Sequence, residues 1–542
     1  VTLISPSNHH DIYSIEDLTQ IITELKTANP FARISIKIPV TSGVGTIAVG
    51  VAKAGAHIVN ISGFDGGTGA AREHAKKYVG LPVEIGVTQA HRALVESGLR
   101  NRVEIWCDGG IRSGSDVVKM VLLGADRVGL GTVALMGVGC ISCEKCHLDR
   151  CPRGISTQIR TRAEAKQRGV HNFSPVQVAM ESENLARLLN AMGDEIRSVL
   201  ADLGQVHLRS LVGRVDLLSQ TNRREEVDCA ELLQPAPRDA SSCCPHPRRV
   251  RKPLNYLTRL VSDLAMDKFR DGSSVITFTD ENVRSVDRAM GTHLAGAMVR
   301  EFTAENRPRA MLHLGSSVPG NGLCAFNVRG IDTVVQGGAQ DGIAKGSLGG
   351  SLGILKGINF LGHRVDGSAG KSCAYGAIQG TIMVQNYADS RACIRMSGAD
   401  AVFGARITEP IRDEEGNIAI RAHLKGFAFE YMTGGRAVVM GDPGPWMCAG
   451  MTGGVIYQCL YPELGFTEEA LSRRFATGAS VKIRKISREG TLEVQKLLEK
   501  YIEELRRSFQ DDEGDAVQRL ADEAGERFVM IVPKSVTPKT SE

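Results

Sequence analysis

The chain has 542 residues, 42% hydrophobic and 23% charged, the balance of an ordinary globular protein. Lysine and arginine number 65 against 61 aspartate and glutamate, and a net charge of +4 is too small to argue for a nucleic-acid or membrane-surface partner. The most apolar segment, VGLGTVALMGVGCI at 128–141, is too short and too glycine-rich to span a bilayer, and the length as a whole predicts two to four domains.

The first residues, LISPSNHHDIYSIEDL after Val1, have the texture of a domain interior, which predicts a processed or truncated piece of something longer. Thirteen cysteines without a secretory signal predict a reducing, cytoplasmic compartment. From Ser14 to Thr132 strands and helices alternate. ISIKIPV (34–40), HIVNIS (57–62), VEIWCD (103–108) and RVGLG (127–131) are β-rich, while 43–55, 88–98 and 113–125 have helical spacing. That alternation predicts βα units on a parallel sheet. Residues 153–219 are expected to be a helical extension, and 220–252, charged and proline-bearing, a linker. Short β-like runs separated by glycines then recur: 346–357, 375–384, 396–405, 432–441 and 451–458. One strand per coil with glycine at tight turns predicts a right-handed parallel β-helix over 253–485, with a glycine-rich β-sandwich as the alternative. Residues 486–542 are expected to form a helical tail, charged and helical from Glu489 to Arg527.

Two constellations carry chemistry. Glycine loops follow three of the strands: SGFDGGTGAA (62–71), DGGIRSG (108–114) and GLGT (129–132). In a βα barrel the last two such loops form a phosphate pocket, which points to a flavin. Ser62, Gly66, Gly67, Thr68, Asp108, Gly109, Gly110, Gly129, Gly131 and Thr132 are the candidate contacts. Lys37, near a strand end, would place its ammonium at the pyrimidine edge of the ring and stabilise negative charge there; a plain surface lysine is the alternative. Cys140, Cys146 and Cys151, spaced Cys-x5-Cys-x4-Cys, begin nine residues after Gly131. Without paired CxxC knuckles, three thiolates suit an iron–sulfur cluster of the 3Fe-4S type better than zinc, and Cys143 could complete a 4Fe-4S cluster. Cys243, Cys244 and His246 are incidental linker residues, and no GxGxxG lies between a strand and a helix to bind a nicotinamide.

IPVTSGVGTIAVGVAKAGAHIVNISGFDGGTGA, DGGIRSGSDVVKMVLLGAD, CISCEKCHLDRCPRGISTQ and the repeats GAQDGIAKGSLGGSLGI and FEYMTGGRAVVMG closely resemble the synthase part of the glutamate synthase large subunit. The resemblance implies an α/β plus all-β chain, the C-terminal half of a (β/α)8 FMN-binding barrel over 1–152 followed by the β-helix. It implies FMN and an iron–sulfur cluster, with 2-oxoglutarate and ammonia reductively joined to L-glutamate. By position it makes Cys140, Cys146 and Cys151 cluster ligands, and Glu16 the acidic residue coupling two reaction centres. Ammonia would come from a glutaminase domain or subunit, and electrons from ferredoxin or an NAD(P)H-oxidising small subunit. With only four barrel strands and no PGxGGQ segment, the chain is not expected to be an autonomous enzyme. An N-methylglutamate synthase-like component and a non-catalytic scaffold are the alternatives.

Overall fold

The computed structural model describes residues 12–66, 80–144, 146–237 and 254–534. The chain divides into two compact units, Val1–Ile22 with Ala32–Lys252, and Thr23–Phe31 with Pro253–Glu542. No helix among the described residues is long and apolar enough to cross a membrane.

α1 (Ile15–Ala28), which belongs to the first unit as far as Ile22 and to the second from Thr23, precedes β1 (Ser35–Pro39), α2 (Val44–Ala54), β2 (Ile58–Ser62), α3 (Val83–Glu96) and β3 (Glu104–Asp108) of the first unit. Then come α4 (Gly114–Leu122), β4 (Arg127–Gly129), α5 (Thr132–Gly137), α6 (Arg162–Gln167) and α7 (Val178–Asp202). The strands pair in parallel in the order β1-β2-β3-β4. Alternation sorts their side chains. Ile38, Val59, Ile61, Ile105 and Cys107 are buried on one face, and Gly86 of α3 sits so close to Val40 and Ile61 that a methyl group there would overlap them. The other face carries Lys37, Asn60, Trp106 and Arg127 side by side across all four strands.

The four strands and their helices stand where the alternation places them, with small shifts. α3 begins at Val83, directly after Pro82 at its N-cap and five residues ahead of the expected start. Residues 153–219 are less helical than expected: Pro152, Gly154 and Pro175 interrupt the run, leaving α6, α7 and two single 3₁₀ turns. Away from the loops that follow the strands, His91 of α3 is 6% exposed and accepts from Arg100 Nε at 3.1 Å. Arg100 also donates to Gly124 O at 3.0 Å and to Asp126 at 2.8 Å. Burial, reinforced by the Arg100 charge, pushes the His91 pKa down to about 3.

The second unit is mixed, not all-β. α8 (Tyr256–Arg270) and α9 (Thr292–Glu301) flank β5 (Val275–Asp280) and bury Val261, Phe269, Leu294 and Met298 in the same core as the strands. β6 (Arg309–Ser317), β7 (Ile331–Gly337), β8 (Leu348–Ile358) with its hairpin partner β9 (Arg364–Asp366), β10 (Gln379–Val384) and β11 (Ser397–Phe403) follow. Next are α10 (Ile418–Arg421), β12 (Thr433–Val439), β13 (Gly453–Cys459), α11 (Glu468–Ser472), β14 (Val481–Lys485), α12 (Arg488–Arg507), α13 (Asp511–Asp522), α14 (Ala524–Arg527) and β15 (Phe528–Pro533). β5, β6, β7, β8, β10, β11, β12 and β13 pair in parallel, each with the next, which does not fit an antiparallel sandwich. The tail is not purely helical. β15 inserts between β13 and β14, antiparallel to both, because FVMIVP buries Phe528, Val529 and Ile531 there.

Successive turns of this unit stack along two further tracks. Isolated bridges link Ala339 to Ala369, Ala369 to Ala388 and Ala388 to Leu424. In the other track every second residue has a left-handed backbone: 322, 324 and 326; 342, 344 and 346; 372, 374 and 376; 391, 393 and 395; 427, 429 and 431; 446, 448 and 450. Most are not glycine, so each carries a conformational cost of about 1 kcal/mol. Interturn hydrogen bonds hold them: Ala374 N donates to Ile343 O (2.9 Å), Cys393 N to Cys373 O (2.8 Å), Phe429 N to Ala392 O (2.8 Å) and Cys448 N to Ala428 O (2.9 Å).

Gly398, Gly434 and Gly453 recur near the start of successive strands, where a Cβ would press into the carbonyls of Ile378, Ser397 and Thr433 on the preceding turn. Gly434→Ala is therefore expected to lower stability by about 2 kcal/mol, measured by chemical denaturation, since backbone cannot yield as a side chain would. A second expectation concerns pH. His91 has a folded pKa below its unfolded value, so its contribution is complete above about 6.5 and is lost as pH falls toward 3. Between pH 7 and 5 the first unit should lose about 2 kcal/mol, and His91→Gln should flatten that slope.

Candidate functional site

Parallel βα units place the ends of their strands and the following loops together, and here those ends meet around one carboxylate. Asp108, the last residue of β3, lies in register with Ser62 at the end of β2 and Gly129 at the end of β4. Ser62 Oγ donates to Asp108 Oδ1 at 2.7 Å, while Lys37 Nζ meets Asp108 Oδ2 at 2.8 Å and Asn60 Nδ2 reaches it at 3.5 Å. Lys37 is half exposed, its carboxylate partner largely buried.

The glycines of the loops do two different jobs. Gly66 and Gly109 are packing positions: a Cβ on Gly66 would strike Asp108 and Ser62, and one on Gly109 would come within 3.0 Å of Gly66 N. Gly63 N donates to Asp108 O at 2.9 Å and Gly66 N to Gly63 O at 2.8 Å, closing the first loop onto β3. Gly110, Gly129, Gly131 and Thr132 are instead exposed, and a Cβ on Gly131 would meet nothing within 4 Å. Gly67 and Thr68 lie outside the described residues. A crevice of about 70 Å³ opens beside Gly109 and Gly110, walled by Asp65, Glu84, Asp116 and Lys119, with Lys119 3.0 Å from Glu84. Its acidic lining does not suit an anion.

One residue invisible to sequence reading shapes these loops. Glu195 of α7 accepts from Gly114 N (2.7 Å), Ser115 N (3.0 Å) and Ser115 Oγ (2.5 Å), so a carboxylate from a distant helix satisfies the start of α4. The Ser115 hydroxyl first, then the two backbone donors, hold its pKa below the usual carboxylate value. Nothing local marks Glu195, because its partners lie about eighty positions earlier.

Glu16 is exposed in the first turn of α1. It makes no hydrogen bond or ion pair with Lys37, Asp108 or the glycine loops among the described residues, so the two residues expected to be catalytic are not joined. The cysteine run leaves α5 directly, Cys140 N donating to Leu135 O at 2.9 Å. Cys140, Cys143 and Cys146 are partly exposed, and Cys151 is buried. Among the described residues no three His, Cys, Asp or Glu side chains come together as a metal-holding group, so the thiols of 140, 146 and 151 are not gathered into one.

The run is nevertheless anchored at its far end. Buried Asp149 accepts from Gln158 N (2.7 Å), Thr157 Oγ1 (2.9 Å) and Arg168 Nη1 (2.7 Å), and the Gln158 bond in particular holds its pKa low. Arg153 Nε donates to Gly139 O at 2.9 Å, tying the end of the run back to its beginning. Ser142, Glu144 and Asp149 all have left-handed backbones, an unusual density of non-glycine residues in that region.

Two family models match the chain, one described as a conserved region in glutamate synthase over residues 1–206 and one described as the GXGXG motif over residues 259–534. The chain belongs to the glutamate synthase family. It is 34% identical over 474 residues to a ferredoxin-dependent glutamate synthase of Cyanidium caldarium, covering 84% of this chain and 28% of that protein. It is 36% identical over 448 residues to the glutamate synthase [NADPH] large chain of Azospirillum brasilense, covering 81% and 27%. With the glutamate synthase [NADH] of Schizosaccharomyces pombe the identity is 36% over 472 residues, 84% and 20%. The chain thus spans less than a third of the length of these relatives. The GXGXG name has a physical counterpart here: alternate residues in each turn stand in the left-handed region, with glycine at both ends of 342–346.

Proposed function

We propose that the chain is the synthase-site portion of a glutamate synthase, in which 2-oxoglutarate and glutamine-derived ammonia are joined and reduced to L-glutamate. The observation that carries this reading is the Lys37–Asp108 pair, set at the ends of parallel strands beside exposed glycine backbone in a chain of this family. In this reading the four βα units are half of a (β/α)8 barrel, further units completing it beyond β1 and β4. The second unit is the family's right-handed β-helix.

The residues present fit FMN. Exposed backbone at Gly129, Gly131 and Thr132, with open space at Gly131, leaves room for a phosphate, Gly110 facing the Asp65 carboxylate instead, and Ser62 and Asp108 suit the hydroxyls of a ribityl chain. Gly66 and Gly109 let the first loop close onto β3 beside these groups. When bound, FMN supplies the hydride that reduces the imine formed from ammonia and the 2-oxo group. Lys37 holds a positive charge at the sheet face where negative charge accumulates, and Asp108, oriented by Ser62, fixes where that ammonium stands. Glu16 relays occupancy between this site and a glutaminase domain or subunit.

The donor set of Cys140, Cys146 and Cys151 fits an iron–sulfur centre by its chemistry, and three ligands favour 3Fe-4S, with Cys143 a bystander. What supports this is thiol content and spacing. Ferredoxin or an NAD(P)H-oxidising subunit is the external donor. The free, buried thiols Cys324, Cys373, Cys393 and Cys448 suit the reducing cytoplasm. The relatives named above are all glutamate synthases, which favours ammonia over methylamine as the amine.

Titration with FMN is expected to quench flavin fluorescence, and Lys37→Met to weaken binding about tenfold, the loss of a charge-assisted contact. In the assembled synthase the same variant should slow ammonium-dependent glutamate formation by about a hundredfold or more. Unchanged binding and turnover would remove Lys37 from the site. After reconstitution with iron and sulfide, Cys140→Ser, Cys146→Ser and Cys151→Ser should each abolish the visible cluster absorption, while Cys143→Ser keeps it. Loss in all four would make the cluster a four-thiolate one.

A further inference from the structure

Residues that open neighbouring parallel strands come to the same edge of a sheet. Arg307 lies just ahead of β6 and Arg329 just ahead of β7. Asp332 of β7, Ser351 of β8 and Thr381 of β10 follow in one row across the sheet. With Lys500, Glu503 and Glu504 of α12 these groups wall a cavity of about 490 Å³, within the range of small-molecule sites. All of it belongs to the second unit.

The carboxylates of this wall are already engaged. Asp332 accepts from Arg309 Nε at 2.7 Å and from Ser351 Oγ at 2.6 Å. Glu504 and Glu503 both meet Arg507, at 2.6 and 3.5 Å.

Three cations are not balanced in this way. Among the described residues Arg307, Arg329 and Lys500 have no carboxylate within ion-pair distance. Arg307 Nη1 makes a long bond of 3.4 Å to Arg329 O, and its buried Nε has no acceptor. Lys500 Nζ donates to Thr381 Oγ1, also at 3.4 Å. Glu305, exposed and outside the wall, feels both arginines. Its own backbone N–H and Thr303, then Arg307 and Arg329, hold its pKa below the usual carboxylate value. With Glu305 and Arg507 included, five cations still stand against four carboxylates.

The cations occupy two ends. Arg307 and Arg329 stand together at the starts of β6 and β7, and Lys500 stands over β10, two strands from β7, a separation of about 10 Å. Between them Asp332 and Ser351 present acceptors, since the Ser351 proton is committed to Asp332. Negative charge is thus welcome at the ends and hydroxyl donors in the middle. Met383 is the one large apolar side chain in the wall, so a hydrocarbon chain would find little to bury against. No imidazole, thiol or phenol lines the cavity among the described residues, which makes it a site for binding and not for turnover.

We propose that this cavity binds a small hydroxylated dicarboxylate. One carboxylate meets the guanidinium groups of Arg307 and Arg329, whose planar donors match it. The other meets the Lys500 ammonium, and the hydroxyls between them donate to Asp332 and Ser351. The site is independent of the flavin and cysteine assignments above.

Isothermal titration calorimetry on the full chain tests this, with glucarate, gluconate, adipate and inorganic phosphate as probes. Glucarate is expected to saturate one site and to bind at least about tenfold tighter than gluconate, which lacks the second carboxylate, and than adipate, which lacks the hydroxyls. Arg329→Gln and Lys500→Gln, both at exposed positions, should each weaken glucarate about tenfold and erase its advantage over gluconate, with the melting curve unchanged. Absence of saturable glucarate binding would overturn the proposal, as would equal binding of gluconate, adipate or phosphate, or folded variants that bind like the parent. If one variant fails to fold, the other decides.

Discussion

Parallel strands cannot be joined by a tight turn. Each pair needs a crossover that satisfies its own backbone donors and acceptors before returning to the sheet. That requirement organises both units. In the first, helices make the crossovers and satisfy themselves internally, so loops at the strand ends are left to form a site. In the second, the crossovers have no helices between β6 and β11, and their backbones bond to the turns on either side. Alternating left-handed residues make this possible, because they turn successive N–H groups toward opposite neighbours. Gly346 N donates to Tyr375 O on the next turn, whereas Ala344 N donates to Leu323 O on the previous one.

The same logic explains why glycine is required at some positions and tolerated at others. Gly398, Gly434 and Gly453 lie against carbonyls of the preceding turn, so there the constraint is steric. At Cys393, Phe429 and Cys448 the backbone is equally left-handed, yet these side chains point into the core, and their burial offsets the conformational cost. The strand-end loops of the first unit divide similarly. Gly66 and Gly109 serve the packing around Asp108, while Gly131 leaves its surroundings open.

Much of this was legible in the sequence because it rests on local periodicity. The four strands of the first unit appear as short β-branched runs, each followed by glycines, and ISIKIPV and VEIWCD kept nearly their expected bounds. The repeats from 346 to 458 announced their strands by the glycines that open them. What periodicity missed depends on partners far along the chain. FVMIVP reads as the end of a helical tail, and only the exposed edges of β13 and β14 make it a strand. β5, β6 and β7 lack the glycine signature and went unrecognised. At the site, Lys37 and Asp108 could be named singly, but their pairing, and the capture of the α4 start by Glu195, require the folded chain. Asp149, near the far end of the cysteine run, carries no local signal either, because its partners Thr157, Gln158 and Arg168 lie beyond the run.

Asp149 and Arg153 bear on how the cysteine run works. A loop held only by its ligands would be shaped by whatever it binds. This one has its far end fixed by three hydrogen bonds to Asp149 and its two ends tied through Arg153 to Gly139, all of them independent of any sulfur. The conformational freedom left to Cys140, Cys143 and Cys146 is therefore that of a short closed loop, not of an open segment. Closing it in advance reduces the entropy that ligand capture must overcome, by the loop-closure argument that applies to any cross-link. The left-handed backbones at Ser142 and Glu144 fall inside this closed stretch. Strain of that kind persists only where the surroundings dictate the path of the chain, and here the surroundings are the Asp149 and Arg153 anchors. Their removal would act on thiol placement without touching a thiol, which separates anchoring from ligation as contributions to whatever this loop holds.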